Sequence, residues 1–302
     1  MSHRLSAPAA VADDGPGERQ ARLLAWFETS HRDLPWRRSR DPWAVLVSEL
    51  MLQQTQVARV EPRYVAFLER FPDVGSCAAA DLAEVVTLWA GLGYNRRARN
   101  LHLCAAVVVE RHGGTFPDDL DALLALPGVG PYTARAVLAF AFERDVGVID
   151  ANAARVLARW QARPLKRREA QDLADAAVPA GRGWSWNQAM LDLGATVCTA
   201  RNPSCGACAV AATCGWARDG LPEPDPSVGT FGVSGPQSRF ADSDRQGRGR
   251  LVDALRSSPV TRADLAAAMG WPADLERAER VAATLVADGL VRCSASGVWQ
   301  LA

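Results

Sequence analysis

Between residues 18 and 218 apolar side chains recur at intervals of three and four, and the runs break at Pro, Gly and Asp. No sustained alternation of apolar and polar positions interrupts this rhythm, so the segment predicts an all-α fold. The first seventeen residues are small, polar and rich in Pro and Gly, and predict a disordered tail. Residues 219–249 are rich in Pro, Gly and Ser and predict a linker. Helical periodicity returns in RLVDALRSS, TRADLAAAMG and ADLERAERVAATLVADGL, and LVRCSASGVWQLA then predicts two short strands around a Ser/Gly turn. Three helices and a hairpin make a winged-helix-like unit over 250–302.

Three places in the helical segment stand out chemically. Asp41-Pro42 pairs an N-cap residue with a proline at the first helical position, predicting a helix through WAVLVSELMLQQTQVARV. At 100° per residue Glu49, Gln53 and Gln56 share a stripe beside the apolar arc of Trp43, Leu46, Val47 and Leu50. Glu49 therefore borders a buried face, where a carboxyl is partly desolvated and stays protonated more readily; the plainer alternative is a solvated helix glutamate. LDALLALPGVGPYTARAVLAFAF predicts two helices around a tight Pro-Gly-Val-Gly-Pro turn, with Ala134, Val137, Leu138 and Ala141 facing inward. Gly128 and Gly130 allow the turn's N–H groups to face outward at a helix N-terminus, a natural phosphate site. Asp150 lies where an apolar run ends and a helix begins, so it reads as an N-cap. Taken with Glu49 it also supplies the second carboxylate of an acid/base pair suited to glycosidic cleavage.

Composition sharpens this picture at two points. The 302 residues carry 34 Lys+Arg and 34 Asp+Glu, so any nucleic-acid contact must be local rather than driven by bulk charge. Lys166 is the only lysine. Of seven cysteines, Cys198, Cys205, Cys208 and Cys214 form a compact C-x6-C-x2-C-x5-C run. With a single CxxC and no nearby histidine, the run favours a 4Fe-4S cluster over zinc or free thiols. Cys77, Cys104 and Cys293 lie in apolar surroundings and predict inert buried thiols. No stretch has the roughly 18 uncharged apolar residues of a membrane helix and no signal peptide is evident, so a cytoplasmic protein is expected.

These pieces, in this order, resemble the helix-hairpin-helix DNA glycosylases related to endonuclease III, and among them the MutY-type adenine glycosylases. The resemblance covers about residues 18–218. It rests on LPWR (34–37), SELMLQQTQV (48–57), WAGLGY (89–94), LPGVGPYTA (126–134), VIDANAARVLAR (148–159), WNQAMLDLGATVC (186–198) and the cysteine run. It implies a six-helix barrel containing the hairpin, and a second helical domain whose loop 198–214 holds a 4Fe-4S cluster. The implied partner is double-stranded DNA with adenine mispaired with 8-oxoguanine or guanine, acted on by a monomer associated with the bacterial nucleoid.

In the reaction the resemblance implies, Glu49 protonates N7 of the extruded adenine and Asp150 stabilises the sugar cation. Tyr132 and Asn152 orient this chemistry. The related lyases have a lysine where this chain has Tyr132, so the implied enzyme is monofunctional. Arg32, Trp36, Arg37 and Gln188 match adenine-pocket positions. Gln54, Thr55, Leu92 and Tyr94 match residues that probe the opposite base and wedge the stack; Asn95 stands where the family often has a second tyrosine. The residues after the cysteine run do not resemble the NUDIX-like domain that usually follows. Two other readings compete: a thymine or uracil mismatch glycosylase, and a non-enzymatic iron-sulfur DNA-binding regulator.

Overall fold

A computed structural model describes residues 16–233 and 239–302; most of the expected disordered tail, residues 1–15, lies outside the described residues. In chain order the helices are α1 (Pro16–Ser30), α2 (Pro42–Leu52), α3 (Val57–Arg70), α4 (Val74–Ala78), α5 (Leu82–Leu88), α6 (Arg96–His112), α7 (Leu120–Leu124) and α8 (Pro131–Phe140). They continue with α9 (Ala151–Trp160), α10 (Arg167–Ala177), α11 (Gly183–Asp192), α12 (Gly215–Arg218), α13 (Asp244–Leu255), α14 (Arg262–Met269) and α15 (Leu275–Ala287). The strands are β1 (Val260–Thr261), β2 (Val291–Cys293) and β3 (Val298–Leu301). The fold is thus mostly helical, as its periodicity predicts, and none of the described helices is long and apolar enough to cross a membrane.

Two compact units divide the chain differently from the boundaries read in the sequence. One takes the chain up to Arg32 and residues 143–234; the other takes Asp33–Phe142 and residues 235–302. The first packs Leu23 and Phe27 of α1 with Val156, Trp160, Trp186, Met190, Leu193 and Trp216. The second has an aromatic centre in which Phe67 meets Trp43, Phe71 and Trp89 at ring separations of 5.0–6.3 Å. Each fully buried ring of this kind contributes roughly 1.5–3 kcal/mol through removal of apolar surface from water. The Trp43 indole N–H also donates to the Phe71 carbonyl at 2.9 Å, so its polar edge is satisfied inside the core.

Residues 219–233, expected as linker, are ordered on the first unit. Asp225 pairs with Arg159 at 2.6 Å, the Thr230 hydroxyl accepts from the Leu165 N–H at 3.1 Å, and the Phe231 N–H donates to the Leu165 carbonyl at 2.9 Å. The linker also ends early, because Ser243 caps α13 through the Gln246 N–H at 3.2 Å and starts that helix at Asp244. Beyond it, α13, α14 and α15 bury Leu251, Leu265, Met269, Val281 and Leu285. The antiparallel sheet runs in the order β1-β3-β2, with Val260 opposite Trp299 and Val291 opposite Leu301. The three helices and two hairpin strands read from the sequence are thus present, with β1 as an added two-residue strand. Cys77 and Cys104 are buried as expected, whereas Cys293, the last residue of β2 before the turn into β3, is exposed.

Candidate catalytic residues and cysteine site

Asp41 caps α2 as its sequence predicts, accepting from the Trp43 and Ala44 N–H groups at 3.3 and 3.1 Å. This sets the helix phase that buries Glu49, only 5% exposed among Trp43, Leu46, Val47 and Leu50. The expected helix does not run through to Val60. It stops at Leu52; Gln54 takes a left-handed φ of 55°, and α3 starts afresh at Val57. Gln53 and Gln56 therefore do not continue the Glu49 stripe.

A buried guanidinium causes the break. Arg97, on the first turn of α6, donates through Nη1 to the carbonyls of Leu50 (2.7 Å), Met51 (3.0 Å) and Gln53. Through Nη2 it reaches the Thr55 hydroxyl (3.1 Å) and the carbonyls of Leu92 and Gly93 (3.0 Å each). A cation at a helix C-terminus satisfies carbonyls that lack intrahelical donors and opposes the helix dipole. Burial lowers the Arg97 pKa to about 10, which still leaves it protonated at neutral pH. Arg97 thus ties the 53–55 loop to the 92–94 turn. No sequence signal marks it beyond its place just after WAGLGY.

The opposite-base candidates lie on these two segments. Gln54 is exposed and Thr55 half-buried, with the Thr55 hydroxyl also donating to the Leu92 carbonyl at 3.3 Å. Leu92 is buried, so the exposed side chain of the turn is Tyr94, 43% exposed at a φ of 47°. A non-glycine residue in the left-handed region stores strain that the surrounding contacts must hold.

In the hairpin, Gly128 has a φ of 76° and an added Cβ would sit 2.6 Å from the Asn100 Cβ, so the turn demands glycine twice over. Gly130 is the N-cap of α8 and Pro131 its first residue; the first donor bonded back into the helix is the Ala134 N–H, to the Gly130 carbonyl at 2.9 Å. The turn thus presents a helix N-terminus, where the helix dipole favours a phosphate oxygen. Tyr132 is half-buried on that turn. Trp36 is buried edge-on against Tyr64, with centroids 5.7 Å apart, and Arg37 beside it is buried too.

The other candidates belong to the first unit. Asp150 is the N-cap of α9, and one oxygen accepts from the N–H groups of Asn152 and Ala153 at 2.8 Å each. The second oxygen accepts from the Asn152 side-chain amide at 2.8 Å. Burial pushes the Asp150 pKa above its ordinary value, although these hydrogen bonds and the nearby Arg155 charge favour the carboxylate. The plain N-cap and the candidate catalytic carboxylate are therefore one arrangement, since the capping bonds are what orient the carboxyl.

Arg155, which the sequence did not single out, extends this network. Its Nη2 donates to the Asn152 side-chain oxygen Oδ1 at 2.7 Å and to the Gly194 backbone carbonyl at 2.6 Å, while Nε donates to the Cys198 backbone carbonyl at 2.7 Å. Its one sequence signal is helical spacing, three residues after Asn152. Gly194 lies in a π-turn over Leu193–Val197 and packs so closely that an added Cβ would lie 2.6 Å from the Asn152 Cβ. Such turns widen a helix by one residue and here deliver Cys198 into its loop.

Cys198, Cys205, Cys208 and Cys214 all line one cavity of about 340 Å³, counting the space open at its mouth, together with Arg159, Trp160 and Trp216. Among the described residues, no three His, Cys, Asp or Glu side chains close on one point as a single-ion site does. The Arg159 Nη1 donates to the Cys198 sulfur at 3.2 Å and to the Thr199 carbonyl at 2.8 Å. Burial would raise the Asp225 pKa, but hydrogen bonds from Arg159 and Ser227 hold it below the usual range, so it remains the anionic partner of Arg159. Burial pushes the Cys208 thiol up to about 11 and raises Cys205 and Cys214 too.

Of the remaining pocket candidates, Gln188 is buried on α11. Arg32 donates through Nε to Asp192 at 2.7 Å, with its own backbone N–H on the other carboxylate oxygen at 3.1 Å. Asp192 is fully buried, so the Arg32 guanidinium compensates a desolvated charge.

Residues 47–178 match the family model of the HhH-GPD superfamily base excision DNA repair proteins. The chain is 44% identical over 287 residues to the adenine DNA glycosylase of Mycolicibacterium smegmatis, covering 93% of this chain and 94% of the relative. It is 41% identical to that of Mycobacterium tuberculosis over 314 residues, covering 100% and 98%. A solved thermostable thymine-DNA glycosylase superposes with a TM-score of 0.65 at 30% identity, covering 68% of this chain and 97% of that one. Glu49, Asp150, the glycine hairpin and the cysteine-lined cavity thus lie within matches that run nearly from end to end, and the chain belongs to the adenine DNA glycosylases of the HhH-GPD superfamily.

Proposed function

We propose that the protein removes adenine mispaired with 8-oxoguanine or guanine from double-stranded DNA by hydrolysing the N-glycosidic bond, without strand cleavage. The observation that carries this is the Asp150 carboxyl, largely desolvated yet gripped by Asn152 and Ala153, in a chain matched almost end to end by adenine DNA glycosylases. A carboxylate that is pre-oriented and poorly hydrated stabilises a developing sugar cation far better than one in water. Asn152, itself fixed by Arg155, keeps it aimed.

Glu49 supplies the proton. Its burial on α2 favours the acid form, and N7 of an extruded adenine is the site whose protonation turns the base into a neutral leaving group. Tyr132, on the first turn of α8, is placed to orient the reacting sugar. Lys166 is exposed at the N-cap of α10, outside every motif, which supports hydrolysis rather than Schiff-base chemistry. The hairpin amides preceding Ala134 suit a phosphate of the backbone, and Gln54, Thr55 and Tyr94 suit contact with the opposite base and the stack.

The cysteine cavity fits a 4Fe-4S cluster: four thiols face one space, no histidine lines it, and Arg159 donates a hydrogen bond to the Cys198 sulfur. Cys198, Cys205, Cys208 and Cys214 would hold the cluster, which when bound would cross-link the 198–214 loop. No step of base removal is assigned to it.

Single-turnover assays on duplexes with A opposite 8-oxoguanine, A opposite G and T opposite G, with alkali applied separately to reveal abasic sites, test this. Adenine loss is expected from the first two, with strand breaks only after alkali. Glu49→Gln is expected to slow excision by about 10²–10⁴-fold. Excision of thymine but not adenine, or an unimpaired Glu49→Gln enzyme, would overturn the reading.

A further inference from the structure

The winged-helix-like module packs within the same compact unit as the 92–94 turn, and it touches α5, which precedes that turn, and the start of α6, which follows it. Arg256, at the C-cap of α13, has a side chain only 10% exposed. Its Nε donates to the Val86 carbonyl at 3.2 Å and its Nη2 to the Asn95 side-chain oxygen at 3.0 Å, while Asp253 balances its charge. Arg96 pairs with Asp288 at 3.5 Å, and Gly289, after α15, fits so tightly against Arg99 that a Cβ there would fall 2.8 Å from its Nε.

Asn95 occupies the N-cap of α6, where asparagine ordinarily accepts a hydrogen bond from its own helix. Here its side chain makes no such cap and accepts instead from Arg256. It follows directly on Tyr94, the exposed aromatic whose backbone sits in the left-handed region. The turn is therefore held at two points: Arg97 binds the Leu92 and Gly93 carbonyls, and Arg256 binds the residue after Tyr94. On the module itself Arg277 and Arg280 pair with Asp244, Arg262 with Glu279 and Arg248 with Asp288.

We propose that the C-terminal module is a brace for the Leu92–Asn95 turn, with Arg256 as a positioning residue that acts through Asn95 to hold Tyr94 out toward the DNA stack. This rests on the glycosylase reading for what Tyr94 meets, but not for the brace itself. An aromatic wedge helps to open a stack only if its backbone does not yield when the bases push back. A module joined covalently and docked through a buried arginine meets that requirement.

The test uses the full-length protein with Arg256→Ala, Arg256→Lys, Asn95→Ala and Tyr94→Ala. Hydrogen exchange reads the brace directly at the Arg97 and Arg99 amides, which bond to the Tyr94 and Asn95 carbonyls. Arg256→Ala and Asn95→Ala should each lower protection there about tenfold with α2 and α9 unchanged, the two together should do no more than either, and Arg256→Lys should restore part of it. On duplexes with 2-aminopurine beside an A opposite G mismatch, the same variants should show a reduced fluorescence rise and a lower single-turnover rate at unchanged duplex Kd. Unchanged protection at Arg97 and Arg99 in both Arg256→Ala and Asn95→Ala would overturn the brace. A parent protein that shows no fluorescence change and no excision on any duplex would instead defeat the glycosylase reading, with the exchange result still deciding the brace.

Discussion

Replacing Arg97 by methionine keeps most of the apolar stem and removes the guanidinium that ends α2. The four N–H groups on its two terminal nitrogens serve six oxygens, so some bonds are shared and the loss is smaller than six separate bonds. Each buried acceptor left without a donor costs about 1–3 kcal/mol. Against this, the substitution relieves the cost of holding a charge in a desolvated site, and water can enter beside the half-buried Thr55. The net destabilisation is roughly 3–5 kcal/mol, the range for breaking a buried charged network. At about 2–4 °C per kcal/mol for a chain of this size class, the midpoint of thermal unfolding should fall by about 6–20 °C. Arg97→Lys, with three donors on one nitrogen, should recover part of this. Excision should fall further than stability does, because Gln54 and Tyr94 lose their common anchor. A methionine variant melting within about 2 °C of the parent would refute the assignment of Arg97 as the tie between the two segments.

Gly194→Ala should push Asn152 off the Asp150 carboxyl, since the new Cβ would sit 2.6 Å from the Asn152 Cβ; a displacement of this kind costs on the order of 10²-fold in rate, read by single-turnover excision. On the proposed mechanism the carboxylate of Asp150 acts, and because burial raises its pKa the rate should fall as pH drops through a midpoint above 3.8. The linkage has the matching sign: a raised folded-state pKa contributes stability below the unfolded value that is lost as pH rises through the folded one, so ionised Asp150 favours catalysis at the expense of the fold. A pH–rate profile whose acid limb lies at or below 3.8 would contradict this. Cys208→Ser should lower the iron content of protein purified without oxygen and lower its melting temperature, and metal analysis with calorimetry checks both.

Much of this protein is readable from local pattern. The cap at Asp41-Pro42, the hairpin at Gly128 and Gly130, the N-cap at Asp150 and the cysteine run depend on neighbours within a few residues, so local sequence carries them. So does the burial of Glu49, because the phase of a capped helix assigns each side chain to a face.

What only the tertiary structure decided involves long-range cations and the assignment of segments to units. Arg97 ends α2 from some 45 positions away, which turned a predicted eighteen-residue helix into α2, a strained loop and α3. Arg159 reaches Asp225 and draws a Pro-rich stretch onto the first unit, whereas Arg256 reaches Asn95 and places the C-terminal module in the second. Periodicity registers which face of a helix is apolar, but it cannot register which distant carbonyls or carboxylates a buried guanidinium will find. That choice belongs to the folded chain, where desolvation makes an unsatisfied partner too costly to leave.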